Sequence, residues 1–167
     1  MSYAAKAKKT YTLRGLHKFT QEVVKSLENM SKFVRRQIEE EESDASLEEF
    51  ETIFESYSED QSANFTEMTQ STAKTPMEQS ARDTLSKQLH SSYEELRAAQ
   101  KLFADWQEGK PILLPAVYNS CVRCLRALQT FESQLRIMRK QAGKLLAQRG
   151  ADAEPPRKKA KRTTDVL

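Results

Sequence analysis

Two cysteines are the residues whose type and spacing are best suited to chemistry in this 167-residue sequence. Cys121 and Cys124 form a C-x-x-C pair, a spacing that elsewhere binds zinc or cycles between thiol and disulfide. Zinc needs four ligands, and no second cysteine pair or nearby histidine supplies the others. A redox pair would sit at a helix N-terminus, whereas both cysteines fall on an apolar helical stripe. We therefore expect small core residues here and no metal site.

Other catalytic equipment is scarce. His17 and His90 belong to no recognisable nucleophile, base or metal pattern. The four glycines stand singly at 15, 109, 143 and 150, so no glycine-rich loop can wrap a phosphate. Carboxylates are dense between Glu39 and Asp60, but such a run is typical of solvated surface. We expect a protein that is not an enzyme, with no catalytic residues and no cofactor.

A basic run near the C-terminus is the most specific functional feature. It resembles a monopartite nuclear localisation signal of the importin-α type, which lays successive basic side chains into acidic, aromatic-lined pockets. Pro155, Pro156 and Gly150 should keep the segment out of a helix, as that binding mode requires. The residues of this signal are Arg157, Lys158, Lys159, Lys161 and Arg162. The run predicts a nuclear protein carried by importin-α. The competing interpretation is a polybasic arm that binds DNA, RNA or acidic lipid. Membrane binding is not expected, because no lipidation motif accompanies the run.

Thr75-Pro76 is a possible site of proline-directed phosphorylation. The same residues also suit the start of a helix. Thr75 would be the N-cap, Pro76 the first helical residue, and Glu78 the return half of a capping box. We favour the cap.

The elements that must position these residues are predicted to be helices. Only 4 Gly and 5 Pro are present, and the apolar residues recur at steps of three and four, which is typical of an all-α fold. The predicted helices cover about 12–41, 46–59, 75–108 and 115–149. Residues 1–11 and 150–167 are predicted to be disordered basic tails, and 58–74 a loop or a poorly anchored helix.

The fourth helix carries the most regular pattern in the chain, a heptad seam without a miss. Its members are Val117, Cys121, Cys124, Leu128, Phe131, Leu135, Met138, Ala142 and Leu145. Long helices need partners along their length, so we predict an elongated four-helix bundle with coiled-coil-like helical hairpins. Two hairpins that complete their core with another chain, or a homodimeric coiled coil, are the alternatives.

The acidic, aromatic segment Leu47–Tyr57 has two interpretations. Its Leu47, Phe50, Phe54 and Tyr57 follow steps of 3, 4 and 3, so the segment could form part of the core. It could equally be an amphipathic segment that docks in a partner's groove. The sequence leaves both open.

Charge is strongly segregated along the chain. The net charge is +7 over 1–38, −11 over 39–60, −2 over 61–109 and +9 over 110–167. On the fourth helix the basic positions that face away from the seam could contact phosphates, namely Arg123, Arg126, Arg136, Lys140 and Lys144. No motif that reads nucleic-acid sequence accompanies them. The alternative function is therefore binding of nucleic acid or chromatin through the first helix, this face and the tail.

The leading expectation is a non-catalytic helical subunit of a nuclear multiprotein complex. By architectural analogy, complexes of the chromosome-segregation (kinetochore) and transcription-coregulator types are built from such chains. The chain would join other helical subunits in a hetero-oligomer. The candidate contacts lie toward the C-terminal half of the seam and are Leu128, Phe131, Leu135, Met138 and Leu145.

Overall fold

The structure is a computed structural model that describes residues 11–40 and 44–153, and all regular secondary structure in these ranges is helical. Helix α1 spans Leu13–Glu39, α2 spans Asp44–Lys74, α3 spans Gln79–Gln107 and α4 spans Leu114–Ala153. The predicted all-α helical bundle is confirmed, while its coiled-coil character stays a prediction. The chain divides into two compact units, Met1–Gln134 and Leu135–Leu167.

Helix α1 carries one apolar stripe whose members recur at steps of three and four. Thr12 is the N-cap, and its Oγ1 accepts a hydrogen bond from the Gly15 N–H at 3.0 Å. Such a cap satisfies one of the amide groups that lack a partner in the first helical turn. The stripe residues that are buried are Leu16, Val23, Leu27, Met30 and Val34. The buried stripe makes α1 one wall of the core.

Helix α2 is longer than predicted, because it begins at Asp44 and continues to Lys74 instead of covering 46–59. The predicted start at residue 46 therefore lies inside the first turn of the helix. The stretch predicted to be loosely anchored is well packed, with Phe65 and Met68 buried. Buried Gln61 extends the stripe between these residues and Phe54, and its Nε2 donates to Ser26 Oγ on α1 at 2.6 Å. A core position filled by a hydrogen-bonded polar residue interrupts the apolar pattern without interrupting the helix.

Thr75 ends α2 and does not start α3, so the predicted capping box is wrong. Its N–H and its Oγ1 both donate to the carbonyl oxygen of Ser71, at 2.8 and 2.6 Å. Arg82 of α3 donates to the carbonyl oxygen of Thr75 at 2.8 Å, which satisfies another group at the end of α2. The N-cap of α3 is Glu78, which makes no side-chain cap bond. Because Thr75 is fully buried, a kinase could reach its hydroxyl only after local unfolding.

Helix α3 ends at Gln107, close to the end predicted at residue 108, and Gly109 follows its C-cap. Gly109 adopts a φ of 81°, which a residue without a Cβ reaches without strain. Its N–H bonds the Trp106 carbonyl at 3.1 Å, and the Lys110 N–H bonds the Asp105 carbonyl at 3.1 Å. This pair of bonds is the Schellman motif of helix C-termini. It turns the chain toward α4.

Consecutive helices of the first unit are antiparallel neighbours. Thr20 and Ser26 of α1 meet Met68 and Gln61 of α2, so numbers rise on one helix as they fall on the other. The same order joins α2 to α3 through the ring pairs Phe54–Phe103 and Phe65–Tyr93. It joins α3 to α4 through Ser92–Cys124 and Glu95–Arg123. This is the up-and-down order expected of a bundle with short connections.

Helix α4 runs beyond the end predicted at Arg149. The helix includes Gly150 and continues to Ala153. A glycine inside a helix costs only about 1 kcal/mol, and the next proline is Pro155, so nothing local forces a stop at Gly150. With 40 residues, α4 is longer than α1 and α3, which have 27 and 29.

Candidate partner-binding surface

The seam of α4 is buried throughout the first unit. Its five members there are at most 1% exposed, namely Val117, Cys121, Cys124, Leu128 and Phe131. Leu128 and Phe131, two of the predicted partner contacts, lie in the core of their own chain. In the second unit Leu135, another predicted partner contact, is also fully buried.

Farther along α4 the seam becomes exposed. Met138 is half-buried, and all side chains from Gln141 to Gln148 are exposed. Leu145 is 57% exposed and Leu146 67%. We call Met138, Ala142, Leu145 and Leu146 the α4 terminal surface, because steps of four and three place them on one side of the helix. Met138 and Leu145 were predicted to be contacts, whereas Leu146 was missed because it lies one residue outside the heptad.

The charge around the α4 terminal surface is entirely positive in sign. No Asp or Glu occurs in the sequence between Glu132 and Asp152. At about 100° per residue, Arg139 flanks the apolar side, while Lys140 and Lys144 lie on the opposite side of the helix. Both lysines are exposed. The end of α4 is therefore a basic amphipathic helix, a type that binds acidic partners.

The five predicted phosphate contacts do not form one cluster in a single unit. Arg123 and Arg126 belong to the first unit, and Arg136, Lys140 and Lys144 to the second. Arg123 already has protein acceptors, since its Nε donates to Glu95 Oε1 and its Nη2 to Ser120 Oγ, both at 3.0 Å. A phosphate would have to compete with the Glu95 carboxylate for this guanidinium.

The two cysteines are packed in the core of the first unit, as predicted. Ser92 Oγ donates to the Cys124 carbonyl at 2.7 Å and lies 3.5 Å from its Sγ. Burial raises the pKa of each thiol from 9.0 to about 12, and the neighbouring Cys124 adds to the shift of Cys121. A thiol is far less nucleophilic than a thiolate, so this environment makes both groups inert.

We expect neither cysteine of the native protein to be alkylated by iodoacetamide at pH 8.5, where an exposed thiol is about half ionised. Alkylation should become rapid in concentrated urea. Unfolding releases thiols that ionise near pH 9, so the free energy of unfolding should also fall as the pH rises from 9 toward 12. Mass spectrometry of alkylated protein measures the reaction. Equal rates in native and urea-unfolded samples would refute the buried placement.

A buried contact between His17 and Glu132 was not predicted from the sequence. His17 Nε2 lies 2.6 Å from Glu132 Oε2, and the two side chains are 4% and 10% exposed. The contact joins α1 to α4 across the first unit. One signal was available: Glu132 is the only acidic residue between Lys110 and Asp152 and directly follows the seam residue Phe131. His90 lies elsewhere, on the exposed side of α3, with Nε2 at 3.7 Å from Glu94.

The acidic segment Leu47–Tyr57 is part of the core. Phe50 and Phe54 are buried and belong to an aromatic cluster of six rings from three helices. The six are Phe33, Phe50, Phe54, Tyr57, Phe103 and Trp106. The exposed residues of the segment are acidic or small, for example Glu48, Glu55 and Ser56. A role as a free docking segment would require these rings to leave the core.

Comparison of the chain with models of known protein families, with curated proteins and with solved structures gave no match. Within residues 11–40 and 44–153, no group of three or more His, Cys, Asp or Glu side chains is placed to hold a metal ion. None of the helices in the same ranges has an apolar stretch long enough to cross a bilayer. The predicted import signal, Arg157 to Arg162, lies outside the described residues.

Proposed function

We propose that this chain is a non-catalytic helical subunit of a nuclear multiprotein assembly, attached to its neighbours through the end of α4. The observation that supports the proposal is the exposure of the α4 terminal surface. Leu145 and Leu146 lie side by side on a helix whose earlier seam residues are buried by this chain's own core. Burying one leucine stabilises a complex by about 1.5–3 kcal/mol, so two of them give a partner helix a substantial gain.

The rest of the bundle suits a supporting role. Within the first unit, α4 is held to α1 by the His17–Glu132 contact and to α3 by the Ser92–Cys124 hydrogen bond. Chromosome-segregation and transcription-coregulator assemblies use helical subunits in this way, and we place the chain among them by architectural analogy.

Nuclear import is the second part of the proposal and rests on the basic tail. In a fusion to a tag large enough to prevent passive entry, we expect the chain to accumulate in nuclei. Replacing Lys158 and Lys159 with alanine should redistribute it to the cytoplasm, because these side chains would fill the central pockets of importin-α. Lys87 and Lys101 are exposed lysines of α3, and their replacement is the matched control. Unchanged nuclear accumulation of the tail variant would contradict this part.

Sedimentation of nuclear extract tests the subunit role. The wild-type chain should travel in a particle clearly heavier than its own 19.2 kDa. Replacing Leu145 and Leu146 with aspartate should release it as a monomer, because the charged side chains cannot be buried without a partner. Leu113, which is 73% exposed in the α3–α4 connection, gives the control Leu113→Asp. If the wild-type chain sedimented as a monomer, the proposed subunit role would be refuted.

Nucleic-acid binding is the second candidate function, and the acid-free stretch at the end of α4 is the observation that favours it. Lys140 and Lys144 are exposed there and could contact phosphates. Binding of this kind weakens steeply with salt, and the slope reports the number of phosphates contacted. A mobility shift that is lost on replacing both lysines with glutamate, yet survives Leu145→Asp, would support nucleic acid over a protein partner.

A further inference from the structure

We propose that the α4 terminal surface binds in an apolar groove whose rims are acidic, on a partner protein. The inference rests on the proposed function, since it specifies the chemistry of the partner that the subunit would meet. It follows from the shape, the charge and the length of the exposed helix end.

The apolar side of the helix end fits a groove better than a flat surface. Met138 and Leu145 are seven residues apart and lie on one line along the helix, with Ala142 between them and Leu146 beside. An amphipathic helix with anchors at such spacings inserts its apolar side into a hydrophobic groove. The small side chain of Ala142 lets the floor of the groove approach the helix closely.

The charge of the same segment selects acidic rims. When the apolar stripe faces the floor of a groove, the exposed Lys140 and Lys144 lie on the far side of the helix, above the rims. Acidic rims would attract these groups, and no acidic residue of the segment opposes the attraction. A second copy of the segment would bring the same positive charge and no acid, so self-association is disfavoured.

The length of the segment sets the expected affinity. Its acid-free residues, 135 to 151, extend about 26 Å at 1.5 Å per residue. One helix of that length contributes less than the area of a standard protein interface. The groove alone should therefore hold the chain with a micromolar dissociation constant, and tighter assembly would need further contacts.

Calcium-loaded calmodulin is a suitable probe, since it offers a Met-rich apolar groove and is tolerant of target sequence. We expect the full-length chain to bind it in the micromolar range only when calcium is present. Leu145→Asp with Leu146→Asp should weaken binding about tenfold or more, because two apolar contacts become charged. Lys140→Glu with Lys144→Glu should weaken it severalfold and reduce its salt dependence. Leu113→Asp should leave it unchanged.

Several results would overturn the inference. Absence of binding at high micromolar calmodulin, or equal binding by the Leu145 and Leu146 variant, would do so. The inference would also fall if the wild-type chain were a homodimer and this variant were a monomer, because a second copy would then cover the surface. Attachment to phosphatidylserine vesicles with loss in the variant would identify a lipid surface instead.

Urea unfolding of each variant confirms that the fold is retained. If calmodulin fails while the nuclear particle depends on Leu145 and Leu146, the inference falls and the proposed function stands.

Discussion

Replacing Phe50 with alanine is expected to lower the free energy of unfolding by about 3–5 kcal/mol. Phe50 is 2% exposed and contacts four rings of the aromatic cluster, at centroid distances of 5.1 Å to Phe33, 6.1 Å to Phe54, 6.0 Å to Phe103 and 5.9 Å to Trp106. Truncation would remove these contacts and leave a cavity among side chains held by three helices. Since small domains are stable by only about 5–15 kcal/mol, the loss is a large fraction of the total.

Urea titration followed by circular dichroism measures this loss. Ser56→Ala is the matched control, because Ser56 is an exposed residue on the same helix and should change stability by no more than about 0.5 kcal/mol. The experiment also decides between the two interpretations of the acidic segment. If Leu47–Tyr57 were a free docking segment, Phe50→Ala would cost almost nothing, and the core placement would be refuted.

Replacing Glu132 with leucine is expected to lower the free energy of unfolding by about 3 kcal/mol. This value is the upper end of the range for an unsatisfied buried polar group and the lower end of the range for a broken buried ion pair. The change removes the carboxylate oxygen that lies 2.6 Å from His17 Nε2 and leaves the buried imidazole without that contact. His17→Leu should also lower the free energy of unfolding, because it leaves the Glu132 carboxylate buried without its histidine partner.

The double variant is the informative measurement. Replacing both His17 and Glu132 with leucine leaves neither half of this contact behind, and such replacements of a buried pair are often close to neutral. We expect the double variant to lose less stability than the sum of the single variants, by at least about 0.5 kcal/mol. Additive losses would show that the two side chains are not coupled and would contradict the assigned contact.

The sequence predicted those helices whose apolar stripe runs at steps of three and four without a gap. α1 and the first part of α4 follow the three-and-four spacing of Leu, Val, Met and Phe, because burying these side chains is the main stabilising term and forces them to one side. The end of α3 was also predictable. Gly109 can adopt the left-handed conformation that a Schellman motif needs, and Pro111 follows soon after.

The second half of α2 was not predictable from apolar spacing. Its stripe passes through Gln61 and Thr72, which are buried although they are polar. Each is satisfied by a hydrogen bond, from Gln61 to Ser26 on another helix and from Thr72 to the carbonyl oxygen of Met68. A pattern of apolar residues cannot anticipate a bond whose partner is distant in sequence. Thr75 shows the same limit, because the Arg82 guanidinium that binds its carbonyl is supplied by α3.

The candidate surface could be predicted only in part. The heptad spacing from Val117 to Leu145 is uniform, so it predicts an apolar side but does not say which chain covers it. The structure divides that side at Leu135: members up to this residue are buried, and Leu145 is exposed. Regular spacing reports only that one side of the helix is apolar, because it carries no record of which other side chains lie against that side.

Crosslinking mass spectrometry of the assembly purified from nuclei tests whether the end of α4 attaches this chain to its neighbours. A lysine-reactive reagent can sample Lys140 and Lys144 at the end of α4, and Lys32, Lys87 and Lys101 on α1 and α3, all of which are exposed. If the end of α4 is the attachment surface, crosslinks to other subunits will concentrate at Lys140 and Lys144. Crosslinks that concentrate on Lys32, Lys87 or Lys101 and spare both α4 lysines would contradict the account.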